Sequence, residues 1–366
     1  MTEYKILDPQ KSFHHFIKLA CENIKSDKNF SGFKSFNEKL YQSDFKILHD
    51  HFECQNIIFF SDQELAIAAC THYKPKNHLL TKNYSESIGN FLFSDLITDE
   101  QLKDCGKILQ KLFAGSKAVL PLNGSFNLGI YHNANADRKT SFLTTAYNSR
   151  IDRFFKLNTD IFLRHRTSHA LNLDLNASNV EQLKNELGKI QSDQSFSTRS
   201  FSRMCFLKDF QIYNQLVNES MIGHFLFFPI QWNAMKQLLL PLVLFIVPKY
   251  FRFILKDKTE IGFVMAVPDY NELLVDSKSD FMNFLSCLFN RHKIKKARII
   301  YSCLLPKHQG KKLIKTARHQ VLIDLFNNGF TSVESSYIDE NNQKSIGNVR
   351  STGAKLKQDY FLYKIQ

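Results

Sequence analysis

The stretch LLPKHQGKKLIKTARHQVLIDLFNNGF, from Leu304 to Phe330, decides the fold prediction, because it leads from an apolar run directly into an amphipathic helix. The apolar residues of this helix recur at helical spacing: Ile314, Ala317, Val321 and Leu325. Its other side is more polar and carries Lys311, Lys315, Arg318 and His319. Asn327-Asn328-Gly329 ends the helix, since Asn and Gly tolerate the left-handed conformation of a C-cap.

The elements around this stretch follow a recognisable order. ARIIYSCLL (297–305) is almost continuously apolar, which predicts a buried strand. FRFILKDKTEIGFVMAVPDYN (251–271) has two apolar runs around a polar turn, which predicts a hairpin. After the helix, 333–338 is predicted to form a strand and 342–352 a helix that closes at Gly353. The predicted order is therefore hairpin, strand, helix, strand, helix.

The first half of the chain repeats this order more weakly. NIIFFSDQELAIAAC (56–70) predicts a hairpin, and IGNFLFSDLI (88–97) a strand. A helix capped by Thr98 or Asp99 and stopped at Gly115 follows, and KAVLPL then predicts another strand. We therefore predict an α/β protein with mixed sheets and a duplicated domain. The expected domains are 1–190 and 191–366, with the polar stretch from Gln191 to Arg203 as their junction.

Composition limits the class of protein. The 366 residues include 43 % hydrophobic residues, enough for two domains with their own cores. The seven cysteines are dispersed and form no CxxC pair, which argues against a disulfide framework or zinc knuckle and favours a reducing, cytoplasmic location. His165 and His169 lack the neighbouring glutamate of a zinc helix, so we expect no metal. No signal peptide or membrane insertion is expected.

Positive charge is concentrated in one window. The formal net charge is +13, and no acidic residue lies between Asp280 and Asp324, where ten lysines and arginines occur. The helix beginning near Gln309 therefore starts with cations where its own dipole is already positive, which predicts that an anion binds there. A solvated basic face without a ligand is the alternative. Nucleic-acid binding through 291–318 is less favoured, since Tyr301 is the window's only aromatic residue.

A family resemblance follows from these elements and from LLPKHQGKKLI (304–314). They resemble the GNAT superfamily of acyl-CoA-dependent N-acyltransferases, whose motif is Gln or Arg, two residues, Gly, one residue, then Gly or Ala. Further segments are similar to landmarks of a bacterial group of uncharacterised two-domain GNAT-like proteins: PLNGSFNLG (121–129), AYNSRID (146–152), IYNQLVNESMIGHFLFFPI (212–230), GFVMAVPDYNELL (262–274) and ESSYIDENNQ (334–343). The resemblance implies a tandem GNAT-like fold and transfer of an acyl group from acetyl-CoA or another acyl-CoA to an amine, on a small molecule or peptide that the sequence does not identify.

The resemblance also implies which residues bind the cofactor. Gln309 matches the first motif position, and the predicted binding residues are Cys303, Leu304, Leu305, Gln309, Gly310, Lys311, Lys312, Leu313, Ile314 and Asn342. In this fold the strand end meets pantetheine and the helix amides meet the diphosphate. Lys312 and Ile314 occupy the two small-residue positions of the motif, so either the lysine obstructs the diphosphate or it points away. Asn342 has an alternative role as the cap of the last helix.

The catalytic residues are less clearly marked. Many enzymes similar to this chain have a tyrosine in the last helix that protonates the thiolate, but Val349 stands four residues before Gly353, where we expect it. Tyr337 is the predicted substitute, with Tyr360 or water as alternatives. Glu334 and Asp269 are candidate bases, and each has a structural carboxylate as its alternative role. A GNAT-like binding protein without catalysis is therefore the alternative function. The first copy is predicted not to bind CoA, because Asp99 and Glu100 would repel a phosphate.

Overall fold

The computed structural model describes residues 2–8, 19, 52–76, 86–116, 118–120, 132–133, 149–190, 196–222, 224, 227, 229–275, 278–310 and 312–366. The strands are β1 (Glu3–Leu7), β2 (Phe52–Phe60), β3 (Ala66–Pro75), β4 (Glu86–Phe93), β5 (Ala118–Leu120), β6 (His132–Asn133), β7 (Phe162–Asp174), β8 (Phe196–Ser200), β9 (Phe251–Lys256), β10 (Thr259–Pro268), β11 (Lys296–Leu304), β12 (Ser332–Ser335), β13 (Ile338–Asp339) and β14 (Lys355–Ile365). The helices are α1 (Asp99–Leu112), α2 (Ser149–Leu157), α3 (Ala177–Ile190), α4 (Phe206–Ser220), α5 (Trp232–Leu239), α6 (Asp280–Phe289), α7 (Leu313–Asn327) and α8 (Gln343–Arg350). In the part of the chain so described, none of the helices has the length and apolarity needed to cross a bilayer.

Two compact units divide the chain. The first comprises Met1–Ser168 and Asp359–Gln366, and the second comprises His169–Gln358. The expected boundary at 190/191 differs from this division, because α3 belongs to the second unit. The expected junction also differs in part, since Phe196–Ser200 forms β8, which pairs with β9, while 191–195 lie outside the described residues.

The second unit contains the predicted order of elements. Its strands lie in the order β7-β12-β11-β10-β9-β8, with β11 and β12 parallel and the other pairs antiparallel. The predicted hairpin is β9–β10, whose turn residues Asp257 and Lys258 have positive φ. The predicted apolar face of α7 is buried through Ala317, Val321 and Leu325.

The first unit repeats this order. The β2–β3 hairpin is followed by β4, α1 and then β5, which is parallel to β4. The core under this sheet is rich in phenylalanine: Phe91, Phe93, Phe154, Phe155 and Phe162 are buried and their rings contact one another. The same hairpin–strand–helix–parallel-strand order in both units confirms the predicted α/β fold with two copies.

Candidate functional site

Strand β11 loses one neighbour part of the way along its length. Its parallel pairing with β12 runs from Lys296↔Ser332 to Ile299↔Ser335, whereas β11 itself continues to Leu304. At the same point the β10–β11 register shifts, leaving Ile300 as an extra residue on β11. A bulge of this kind bends a strand and disrupts its ladder. Beyond Ile299, β11 is therefore no longer paired with β12, which itself ends at Ser335.

The loop after β11 leads into α7 through an unusual backbone. The Gln309 side-chain amide donates to the Leu304 carbonyl at 3.4 Å, which ties the loop to the strand end. Gly310 has φ 87, and nothing lies within 4 Å of the position that a Cβ would occupy. Lys312 has φ 59, a left-handed conformation that glycine adopts more readily. Lys312, at the first small-residue position of the motif, therefore has a backbone conformation that favours glycine, and its side chain is exposed.

The start of α7 leaves backbone amides available. Lys312 is the N-cap, makes no side-chain cap hydrogen bond, and its carbonyl accepts from the Thr316 amide at 3.1 Å. The amides of Leu313, Ile314 and Lys315 precede that first helical bond, so the helix itself supplies no acceptor for them. The first turn also has no acidic residue. These amides and the helix dipole make the start of α7 favourable for an anion.

Helix α1 occupies the same position in the first unit but begins very differently. The Thr98 hydroxyl accepts from the Gln101 amide, and the Gln101 side chain accepts from the Thr98 amide, forming a capping box. Asp99 and Glu100 place two carboxylates in its first turn. The start of α1 is thus already capped and negatively charged, whereas the start of α7 is neither.

A polar cluster lies where the pairing of β11 with β12 ends. Glu334 is only 4 % exposed, lies opposite Arg298 in the strand register and forms an ion pair with Lys357. The Arg298 guanidinium lies 5.2 Å from the centre of the Tyr337 ring. Two of the predicted catalytic residues, Glu334 and Tyr337, are therefore brought together around Arg298. Strand β11 extends about 20 Å from Arg298 to Leu304, so this is the distance along the strand from the polar cluster to the loop.

The other predicted residues lie in varied places. Asp269 lies at the opposite end of β11 from the loop, where its backbone amide donates to the Lys296 carbonyl. The Asp269 carboxylate accepts from the Asn271 amide. Asn342 caps α8 by accepting from the Ser345 amide at 3.1 Å. The Cys303 thiol is buried, which raises its pKa to about 12. The Leu305 amide donates to the Ile261 carbonyl. Lys311 lies outside the described residues.

Two buried side chains of α7 differ from the sequence expectation, which placed them on the polar side. Arg318 is 5 % exposed, and its guanidinium donates to the Asn348 carbonyl of α8 at 3.2 Å. His319 is fully buried, and its Nε2 lies 3.8 Å from Glu186 of α3. Because α7 packs against helices as well as the sheet, its polar side is covered too. The residue pattern of α7 alone contains no signal for these partners.

The predicted basic window does not form one exposed surface. Arg298 and Arg318 are buried, and Lys315 pairs with Glu186 at 2.7 Å. The remaining exposed cations divide between the two ends of β11: Arg291, Lys293, Lys295 and Lys296 lie at its start, and Lys307 and Lys312 lie after its end. This division gives no continuous track for a nucleic-acid backbone among the residues described.

Comparisons with known proteins show the fold. No family model matches this sequence, and no curated protein does. Among solved structures, the chain is similar to a GCN5-related glucosamine N-acetyltransferase region of a fungal multi-domain GH3 beta-N-acetylglucosaminidase, with a TM-score of 0.53 and 9 % identity. That alignment covers 100 % of this chain but only 38 % of the fungal one.

A second similar structure is a conserved protein of unknown function from Enterococcus faecalis, described as a probable N-acyltransferase. Its TM-score is 0.50 and its identity 10 %, and the alignment covers 100 % of this chain and 73 % of that one. At such identities a likeness establishes architecture, and the chemistry must be argued from the site. The repeated order of elements and these two structures agree: the chain has the fold of the GNAT acetyltransferases, in two copies.

Proposed function

We propose that this protein is an acyl-CoA-dependent N-acyltransferase whose second unit carries the site. The observation that carries the proposal is that β11 continues to Leu304 after its pairing with β12 ends at Ile299, and then leads into a loop and a helix start with free amides. This arrangement offers an extended ligand an unpaired strand edge at one end and an anion site at the other. The start of α1 is capped and acidic, so we propose no cofactor site in the first unit.

The residues of the second unit fit the parts of coenzyme A. The amides of Leu313, Ile314 and Lys315 would hold the diphosphate, with the Lys312 side chain adding positive charge. Gly310, open at its Cβ position, lets phosphate oxygens approach the backbone closely. The backbone of Cys303 to Leu305 would meet the pantetheine arm, and Gln309 holds this segment in place. Asn342 is assigned to the start of α8 rather than to the cofactor itself.

The polar cluster supplies the groups that acyl transfer needs. When bound, acyl-CoA supplies an activated acyl group as its thioester. The protein's task is then to align the amine, to accept one proton and to return one. Glu334 is the proposed proton acceptor, held in position by Lys357, and the Tyr337 hydroxyl is the proposed donor. Asp269 is not included, because it lies at the far end of β11 and caps a turn.

A second candidate function is a CoA-binding protein without transferase activity. It is favoured by Val349 of α8, which stands where a tyrosine was expected and has no hydroxyl to donate a proton to the thiolate. The Val349 carbonyl accepts from the Thr352 hydroxyl at 2.7 Å. The two candidates share the same binding site and differ only in turnover.

Calorimetry with acetyl-CoA and with CoA tests the proposal. Lys312→Glu places a carboxylate at the anion site, so we expect at least about tenfold weaker binding. Lys103→Glu, at an exposed position in α1, makes the same charge change in the first unit and should leave the affinity unchanged. Release of free thiol in the presence of a panel of amines then distinguishes transfer from binding alone. If acetyl-CoA fails to bind at millimolar concentration, both candidates are wrong; binding without thiol release supports the second.

A further inference from the structure

The connection between β10 and β11 is much longer than these strands require. They are adjacent and antiparallel, and Pro268 pairs with Ala297, so a hairpin loop of about two to five residues would join them. Instead residues 269–295, the β10–β11 insertion, contain α6 between two short helical turns, Tyr270–Glu272 and Arg291–Lys293. Long connections on a rigid sheet frequently carry function.

Helix α6 directs an apolar face outward. Phe281 is 67 % exposed and Phe289 73 %, and they are the only phenylalanines among the described residues that are this open to solvent. Met282 is also exposed and lies seven residues before Phe289, so both fall on one side of the helix. Leu285, half-buried, lies between them on that side. Three exposed large apolar side chains on one face are a patch rather than a scatter.

The opposite face fixes α6 to the protein. Cys287 and Asn283 are buried there, and the Asn283 side chain donates to the Val275 carbonyl and accepts from the Val275 amide, both at 3.1 Å. The Phe284 ring contacts that of Phe245 with centres 6.2 Å apart. The outward apolar face is therefore held in place by packing on its reverse side.

Cations adjoin this apolar face. Arg291 and Lys293 lie two and four residues after Phe289, Lys295 and Lys296 come next, and all four are exposed. The nearby Glu272 accepts from the amides of Lys295 and Lys296 at 2.6 and 3.2 Å, and its Oε1 lies 3.9 Å from the Lys296 ammonium, so it offsets the charge of that one lysine. The sequence has no acidic residue after Asp280 until Asp324. The insertion thus combines exposed aromatic side chains with a cationic border.

We infer that the β10–β11 insertion docks the protein on an anionic lipid surface. Interfacial helices insert an apolar face about 5–10 Å deep into the headgroup region while basic residues bind anionic lipids. Helix α6 exposes these side chains on the outer face of a helix, whereas peptide ligands are usually received in grooves or at strand edges. With ten residues, α6 is too short to cross a bilayer and would lie on its surface, so we expect weak and reversible binding. The inference does not depend on the proposed CoA site.

Co-sedimentation of the full chain with lipid vesicles tests this inference. One vesicle is phosphatidylcholine alone, and in the other about a third of the lipid is phosphatidylglycerol. We expect binding at least about tenfold tighter to the anionic vesicle, and weaker binding at high salt. The double variant Phe281→Ser/Phe289→Ser and the double variant Lys293→Glu/Lys295→Glu should each lose at least about tenfold in affinity.

Matched variants separate docking from general effects. Leu96→Ser/Met204→Ser removes two apolar side chains elsewhere that are more exposed than the two phenylalanines. Lys103→Glu/Lys107→Glu makes the same charge change on α1. Both variants should bind vesicles like the parent protein. Thermal unfolding should be unchanged in the Phe281/Phe289 variant, since both rings are exposed. Phe289→Trp should show blue-shifted emission with anionic vesicles only. The inference would be overturned by equal binding to both vesicles or by full binding of either insertion variant. It would also be overturned if the protein bound oligonucleotides but not vesicles, and the insertion variants lost that oligonucleotide binding.

Discussion

Glu334 and Lys357 form a partly buried ion pair beside Arg298, the residue opposite Glu334 on β11. If Glu334 accepts the proton of the incoming amine, Glu334→Gln keeps the shape of the side chain but removes the base. We expect kcat for thiol release to fall by about 10²–10⁴-fold while the Kd for acetyl-CoA stays unchanged.

The control for this variant is Asp324→Asn, which alters another ion-paired carboxylate of the second unit, the partner of Arg252. It should leave kcat unaffected. A Glu334→Gln enzyme with the parent kcat would assign this carboxylate a structural role.

Lys312 and Lys258 both have a left-handed backbone, with φ of 59 and 68. Replacing either lysine by glycine removes the steric cost of the left-handed backbone, about 1–2 kcal/mol, and adds a smaller loss of chain entropy, about 0.5–1 kcal/mol. Lys312→Gly and Lys258→Gly should therefore each raise the free energy of unfolding by about 0.5–1 kcal/mol. Chemical denaturation measures both.

The two substitutions should differ in acetyl-CoA binding. Lys312→Gly removes a cation next to the proposed diphosphate site, whereas Lys258→Gly alters only the β9–β10 turn. We expect a several-fold weaker affinity in the first and no change in the second. Identical calorimetric titrations for both variants would remove the Lys312 side chain from the site.

Arg318 carries a buried charge without a carboxylate partner among the described residues. Burial lowers its pKa to about 10, and its one hydrogen bond is to the Asn348 carbonyl. Replacing an uncompensated buried cation by an apolar side chain of similar length is often neutral or stabilising, so Arg318→Met should leave the free energy of unfolding unchanged or raise it by about 1 kcal/mol. Urea denaturation tests this. A loss above about 2 kcal/mol would show instead that the guanidinium stabilises the α7–α8 contact.

Arg252→Met is the matched comparison, because Arg252 donates to Asp324 at 2.7 Å through Nη2. Removing this arginine leaves a half-buried carboxylate without its partner, so this variant should be destabilised. Arg252→Met should therefore lower the free energy of unfolding, whereas Arg318→Met should not.

His319 should make stability depend on pH. Burial lowers its pKa from 6.5 to about 4, and the groups facing it are Glu186 of α3 with Lys315 and Arg318 of α7. Because the folded state takes up this proton less readily than the unfolded chain, stability is full above pH 6.5 and falls as the pH drops toward 4, by up to about 3 kcal/mol.

His319→Gln should reduce this fall, as measured by denaturation at pH 7, 5.5 and 4. His292→Gln, at an exposed histidine, is the control and should keep the parent profile. A parent-like slope in His319→Gln would assign the acid sensitivity to other groups.

Local patterns predicted much of this fold, because they depend on neighbours in sequence. The polar KDKTE between two apolar runs predicted the β9–β10 hairpin, and the spacing of Ile314, Ala317, Val321 and Leu325 predicted α7. The burial of Arg318 and His319 was missed because it depends on α3 and α8, which are distant in sequence.

The candidate site was predictable only in part. The loop at Gln309 and the acidic start of α1 were visible in the sequence, since both depend on residue type and position. The bulge at Ile300 and the left-handed φ of Lys312 were not, because no glycine marks either one. The grouping of Glu334 with Lys357 results from pairing between separate segments, which no local pattern encodes.

The last strand has a consequence for how the protein is made. Asp359–Gln366 belongs to the first unit, where Tyr363 pairs with Leu120 and stacks on Phe155 at 4.0 Å, and Ile365 joins the core. During synthesis, the sheet of the first unit therefore cannot be completed until Asp359–Gln366 has been added, after the whole of the second unit. A stop codon just before Asp359 would leave the second unit whole and damage the first.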